Sequence, residues 1–481
     1  MLELVAARLI APTLGVSLYT WTSVIGVVLG GVSLGNYLGG RLADRWPARS
    51  TLAFVYLAAA GASLVVLAVL PFVGSLELPR RAPALVQVLW VTAILFLLPS
   101  TVLGAPTPLL TRLTLDSVAE TGRVVGRIQA AAALGSVLGA FATGFFFVSW
   151  FGTRHIVAGV AGVLLLLAVL AGLPRALARV WIVGLLAAVV VASGWASRSP
   201  CTRESAYYCI RVVPGKVSFT TPSGRRVVTE PAQQTLYLDH LVHALVDLAD
   251  PTDLLYTYEQ QYASVLARVV PHGGRLDAFF AGGGGFVFPR YVAHEYRGSV
   301  VVAEIDPAVT SVARELLGLR TSPRLRVVSE DARVALERLP PWTRFDAVFG
   351  DAFDDYEVPY HLATREFDAL VAAHLRPGGL YLVNVIDGVH DDFLRSEVRT
   401  LRAVFPYVAL VRPASGWPPS RDRSTYVLVA AKREPARALP VVSAVDLATF
   451  MRGGRSVLLT DDHAPVDTLL APVFSQSLSR R

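Results

Sequence analysis

The sequence predicts an α-helical transmembrane domain joined to an α/β domain with a doubly wound sheet, preceded by a small antiparallel β subdomain. Three observations carry this reading. The chain has 481 residues, 53% of them hydrophobic, and a mean hydropathy of +0.50, more apolar than soluble domains of that size. Almost all the long apolar runs lie before about residue 196. Beyond them strands and helices alternate, with glycines and acids at the strand ends. The expected division is a transmembrane domain over 1–196, a linker over 197–206, a β subdomain over 207–250 and a nucleotide-binding domain over 251–481.

A bilayer core takes about 20 apolar residues per helix. Six stretches qualify: Val16–Gly39, Leu52–Phe72, Val86–Leu110, Ile128–Trp150, Ile156–Leu173 and Val180–Trp195. The first carries Gly26, Gly30, Gly31, Gly35 and Gly39 at a spacing that lets two backbones approach closely in lipid. Pro99, Pro106 and Pro108 predict a kink or a terminus late in the third. Met1–Ala11 is too short to span but has a helical pattern, like the tail of a helix. The segment Gly40-Arg-Leu-Ala-Asp-Arg45 resembles the first cytoplasmic loop of major facilitator superfamily transporters. The six apolar cores hold no ionisable residue, so this half reads as a scaffold rather than a proton-coupled transporter.

Arginines set the orientation. Arg41, Arg45, Arg49, Arg112, Arg123, Arg127, Arg175 and Arg179 follow the odd-numbered helices, against Arg80, Arg81 and Arg154 on the other side. Eight against three predicts a multi-pass plasma-membrane protein whose residues beyond Trp195 lie outside the cytoplasm. Cys201 and Cys209 fit no zinc-ligand spacing and read either as free thiols or as one disulfide; the predicted topology favours the disulfide. A net charge of +7 with scattered arginines excludes a basic stripe, so no nucleic-acid partner is expected.

In the C-terminal half, Tyr208–Val213, Arg226–Thr229 and Thr235–Asp239 read as short strands, with a turn at Pro222–Arg225. A helix follows at Tyr258–Val270. Buried strands are expected at Leu276–Ala281, Ser299–Ile305, Arg324–Val328, Phe345–Gly350 and Gly379–Val385. Helices at Pro307–Leu317, Thr364–Leu375 and Asp391–Val404 separate several of them. Tyr407–Val411 and Thr425–Ala431 finish the sheet as an antiparallel pair. Such alternation implies a mostly parallel sheet with its site at the carboxyl ends of the strands. There stand Gly282, Gly283, Gly284 and Gly285 after the first strand, Glu304 and Asp306 after the second, Asp331 after the third, and Asp351 and Asp354 after the fourth. A glycine run admits a close-lying ligand, and an acid about twenty residues on can accept from both ribose hydroxyls. Each acid alone reads more readily as a solvated loop residue or a helix N-cap than as a functional group; their succession around one glycine turn is what marks a site.

The ordered set resembles the spermidine synthase (polyamine aminopropyltransferase) family, and most closely its bacterial membrane-fused branch. The resemblance runs from about Cys201 to Gly388. It rests on Leu238-Asp239, Glu259 with Tyr262, Gly282-Gly-Gly284, Glu304-Ile-Asp306, Asp331-Ala332 and Asp351-Ala-Phe-Asp354. Pro359–Phe367 and Pro377–Asn384 match the fused branch in particular.

That resemblance implies an S-adenosylmethionine-transferase-like fold and aminopropyl transfer from decarboxylated S-adenosylmethionine to a diamine such as putrescine, with no metal. Asp351 is then the expected base, and Asp354, Tyr262 and His243 are expected to hold the amine. Gly282, Gly283, Gly284, Glu304, Asp306 and Asp331 are expected around the donor, with Glu304 on the ribose and Asp331 on the adenine amino group. Three positions depart from the family: Gly285 stands for its Asp, Phe286 for a Gly, and His243 for a frequent Gln. Gly285 keeps open another S-adenosylmethionine-dependent transferase, such as a methyltransferase. The predicted extracytoplasmic position keeps open a non-catalytic membrane-anchored binding or transport-associated protein, because nucleoside donors are made in the cytosol. The expected partners are the bilayer and a small polyamine or other amine, with a homodimer left open.

Overall fold

The computed structural model describes residues 1–14, 18–75, 84–172, 201–215, 218–220, 226–228, 233–239, 241–353, 358–413, 416–417 and 423–479. They form two compact units, Met1–Cys209 and Ile210–Arg481. The expected sixth span, Val180–Trp195, and the Pro222–Arg225 turn lie outside the described residues.

In the first unit, five helical stretches are long and apolar enough to cross a bilayer: Tyr19–Arg45, Arg49–Val73, Leu85–Thr114, Val118–Phe147 and Thr153–Leu170. A shorter helix, Leu2–Leu14, precedes them. The glycine stripe is narrower than its sequence spacing suggests. Gly31, Gly35 and Gly39 meet the backbone and small side chains of Ser100, Thr101 and Ala105, while nothing lies within 4 Å of a Cβ built at Gly26 or Gly30. Close approach here lets backbone dipoles and small side chains pack where lipid offers no hydrophobic drive. Pro99 sits inside Ala84–Gly104 without ending it, and the break falls at Ala105, where Pro106 opens the next helix. Pro at the first turn loses no intrahelical hydrogen bond, which is why the break settles there. Cys201 and Cys209 are joined by a disulfide across a Cα separation of 5.2 Å. Beside them a two-residue strand, β1 (Arg203–Glu204), presents Glu204, whose carboxylate accepts from the Thr153 N–H at 2.7 Å.

The second unit opens with short antiparallel strands. These are β2 (Cys209–Pro214), β3 (Ser218–Thr220), β4 (Arg226–Val228), β5 (Gln233–Leu238) and β6 (Leu241–Asp247). β5 lies between β2 and β6, and β3 pairs with β4 alone. The principal sheet contains β7 (Ala278–Ala281), β8 (Val300–Ala303), β9 (Leu325–Val328), β10 (Phe345–Gly350), β11 (Leu375–Asp387), β12 (Tyr407–Leu410) and β13 (Ser424–Ala431). Their order is β12-β13-β11-β10-β7-β8-β9. β7 to β11 run parallel, and β13 and β12 join antiparallel. This is a doubly wound sheet, with the strand order reversing between β7 and β10. Ligand crevices in such sheets open at that reversal, beyond the carboxyl ends.

Alternation along each strand divides the interior in two. Phe279, Val348, Tyr381, Val383 and Val385 point into a core closed by helices Arg365–His374, Asp392–Arg402 and Val466–Ser479. On the other face Phe280 stacks on Phe349 at 4.4 Å, and Phe288 and Tyr262 each lie 5.2–5.3 Å from Phe349. These rings come from helices Thr257–Val269 and Val287–Glu295. Aromatic pairs of this kind add about 0.5–1.5 kcal/mol each beyond their burial. The second helix, with Ala332–Glu337, Ala444–Arg452 and Val466–Ser479, adds to those expected from periodicity.

Candidate active site

The loops after β7 and β10 meet at the reversal. Gly282, at φ +97°, passes so close to the next loop that a Cβ there would stand 2.3 Å from the Asp351 carbonyl oxygen. Gly284 is also left-handed, and the Phe286 N–H closes the turn on the Gly283 carbonyl at 2.7 Å. Phe286 itself adopts φ +55°, uncommon for a bulky residue, and is fully buried. Its ring lies beneath Gly283, where a Cβ would come within 2.5 Å of it. The large side chain that departs from the glycine pattern therefore lies under the turn.

Gly285 is equally constrained. A Cβ at this position would fall 2.3 Å from Ala244 Cβ and 3.2 Å from Val246 Cγ2, both on β6. An aspartate cannot stand here unless β6 moves.

Asp351 follows β10 directly. Asn384, on the adjacent strand β11, donates from Nδ2 to Asp351 Oδ1 at 2.7 Å, and the Tyr258 hydroxyl donates to Oδ2 at 3.1 Å. Burial pushes the Asp351 carboxyl above its ordinary pKa, and these two donors partly offset that rise. Glu259 is buried next to it; burial and the Asp351 carboxylate together hold its pKa well above the usual range. Tyr262 is fully buried, its ring edge-on to Tyr258 at 5.6 Å. This end of the site is thus two carboxyls within an aromatic enclosure.

At the other end, Glu304 takes up the glycine turn. Its Oε2 accepts from the Gly283 and Gly284 N–H groups at 2.9 and 3.2 Å, and its Oε1 from the Asp306 N–H at 2.9 Å. Burial raises its pKa despite those bonds. Asp306 is the N-cap of Pro307–Leu316, accepting from the Ala308 N–H at 2.9 Å. Asp331 caps Ala332–Glu337 through Oδ1, which accepts from the Arg333 and Val334 N–H groups, while Oδ2 lies 2.7 Å from His361 Nε2. Burial alone would raise the Asp331 pKa, but the His361 and backbone donors outweigh it and hold the carboxylate below its ordinary range.

The structure therefore brings Gly282, Gly283, Gly284, Glu304, Asp351 and Tyr262 together around the carboxyl ends of β7, β8 and β10, with Asp331 at the outer strand β9. His243 lies on β6, half-buried. Asp354 lies outside the described residues. Sequence reading missed Tyr258 and Asn384 as partners of Asp351. Asn384 ends one of the resembling motifs and Tyr258 opens the expected helix, but only strand register pairs Gly350 with Val383 and so places residue 384 beside residue 351.

No family model matches the chain. Over 162 residues it is 31% identical to polyamine aminopropyltransferase 2 of Pseudomonas aeruginosa, a match covering 31% of this chain and 46% of that protein. Over 360 residues it is 27% identical to the polyamine aminopropyltransferase of Corynebacterium efficiens, covering 70% of this chain and 65% of that one. The chain thus spans less than two thirds of the length of either relative. The crystal structure of a probable spermidine synthase from Corynebacterium glutamicum aligns with a TM-score of 0.44 at 21% identity, over 52% of this chain and 93% of that chain. Over part of their length, the chain is similar in sequence to the polyamine aminopropyltransferases.

Proposed function

We propose that the protein is a membrane-bound aminopropyltransferase, moving an aminopropyl group from decarboxylated S-adenosylmethionine to a diamine such as putrescine. The observation that carries this reading is Asp351, half-buried at the reversal of the sheet between Tyr258 and Asn384 with buried Glu259 alongside. The names of the curated relatives support it.

An ammonium has no lone pair, so the acceptor amine must lose a proton before it can attack. Asp351, whose raised pKa brings it nearer the working range of a base, takes that proton. The amine nitrogen then forms a bond to the carbon next to the sulfonium. The C–S bond breaks, its electron pair goes to sulfur, and methylthioadenosine leaves as a neutral thioether. Tyr262, Tyr258 and Glu259 enclose and orient the amine, so that attack is in line. Gly282 to Gly284 let the donor lie against the backbone, and Glu304 faces its ribose. We place this domain outside the cytoplasm, on the arginine distribution and on the Cys201–Cys209 disulfide.

A second reading has one specific observation in its favour. Because β6 leaves no room for a carboxylate at Gly285, the loop sets no acid against the carboxylate that an intact donor has and a decarboxylated one lacks. That favours a methyltransferase using the intact donor. The deciding experiment incubates the full chain, in detergent or nanodiscs, with putrescine and either donor, and reads products by mass spectrometry. Spermidine with methylthioadenosine is expected from the decarboxylated donor. Their absence, with methylated amine and S-adenosylhomocysteine from the intact donor, replaces the first reading by the second.

A further inference from the structure

Asp331 closes β9, one strand beyond the acid that faces the ribose. A nucleoside that runs outward from the glycine turn past Glu304 brings its base to this strand end, as dinucleotide folds do. What the base meets is a pair of residues rather than a single acid. His361 Nε2 stands 2.7 Å from Asp331 Oδ2, and Oδ1 is held by the Arg333 and Val334 N–H groups.

A carboxylate has about four acceptor positions. Three are taken here, and the free one lies on Oδ2, the oxygen that His361 orients. The Asp331 side chain keeps 21% exposure and the His361 side chain 33%, so this edge is open to a ligand. His361 is itself held from behind: Arg333, paired in a fork with both Asp461 oxygens at 2.7 and 2.8 Å, donates to the His361 carbonyl at 3.4 Å. The backbone that carries the imidazole is therefore anchored beside the carboxylate.

We propose that His361 is the positioning residue for base recognition, and that through it the site distinguishes a 6-aminopurine from a 6-oxopurine nucleoside. With His361 donating, Asp331 is an ionised, fixed acceptor. It accepts an exocyclic N–H and repels a carbonyl oxygen at the same place. Without His361 the carboxylate loses a donor that keeps it charged and turned toward the base, so the distinction weakens. This inference rests on the nucleoside-donor reading of the crevice.

The test measures binding of 5′-methylthioadenosine and 5′-methylthioinosine to the full chain in nanodiscs by calorimetry, for wild type, His361→Ala and His361→Gln. Wild type is expected to prefer the adenosine at least tenfold. His361→Ala should cut that ratio about tenfold, and His361→Gln, which restores an N–H donor, should recover most of it. A merely structural role would lower both affinities together and leave the ratio unchanged, and that result overturns the proposal. Failure of wild type to bind either nucleoside overturns it as well, along with the nucleoside-donor reading. Preference for the adenosine that His361→Ala weakens, in a protein that transfers no aminopropyl group, supports this inference while refuting the proposed reaction.

Discussion

Asn384 Nδ2 and Asp351 Oδ1 are joined by a 2.7 Å hydrogen bond that links the ends of two adjacent parallel strands. The donor stabilises the charged form of a carboxyl that burial drives the other way. Removing it in Asn384→Ala raises the Asp351 pKa further, so the acid limb of the kcat–pH profile should move to higher pH. Asp351→Asn should lower kcat by about 10²–10⁴-fold, the usual contribution of a general base. An acid limb unmoved in Asn384→Ala would show that another group titrates there.

Gly285 is predicted to be intolerant for a reason located on β6. A Cβ 2.3 Å from Ala244 Cβ forces overpacking, which costs about 1–3 kcal/mol. Gly285→Asp should therefore lower the midpoint of thermal unfolding, and Ala244→Gly in the same chain should restore part of the loss. Additive effects in the double-mutant cycle would remove the proposed contact.

Asp387 gives a pH signature. It is buried at the end of β11, where its oxygens accept from the Gly388 and Leu394 N–H groups at 2.8 Å. Burial nevertheless pushes its pKa up to about 7. The unfolded carboxyl ionises near pH 4, so this group's contribution to stability is full below that value and falls as pH rises to about 7, by on the order of 3–4 kcal/mol. Urea titrations at pH 4 to 8 should show the fall in wild type. In Asp387→Asn this part of the slope should vanish, with lower stability at acid pH because one amide N–H then faces an amide donor.

Within the helical unit, Gly35→Leu should separate the two helices that meet there. A Cβ at Gly35 would lie 1.9 Å from the Thr101 carbonyl oxygen, whereas Gly26 faces open space. Thermal aggregation of the detergent-solubilised protein should begin at a clearly lower temperature for Gly35→Leu and be unchanged for Gly26→Leu. Equal behaviour of the two variants would refute this packing.

Much of the architecture was legible because it depends on local periodicity. Phe345–Gly350 was placed to the residue, and the strands ending at Ala281, Val328 and Ala431 within three. The apolar runs of the first unit likewise declared their helices by length alone, and the acids fell at successive strand ends as expected. Helices Val287–Glu295 and Ala332–Glu337 were missed; at nine and six residues they are too short for a periodic signal.

Sequence by itself thus determined the order of elements and which acids stand at the carboxyl ends of the strands, all properties of spacing along one chain. Tertiary structure decided what each acid does there. Asp306 became a helix cap, Asp331 acquired His361, and Asp351 acquired Asn384 and Tyr258. It also decided that Gly285 must be small and that Phe286 lies under the glycine turn. Those outcomes turn on strand register and on contacts between segments tens of residues apart, and a hydrogen-bond partner or a 2.3 Å approach to β6 leaves no trace in local pattern.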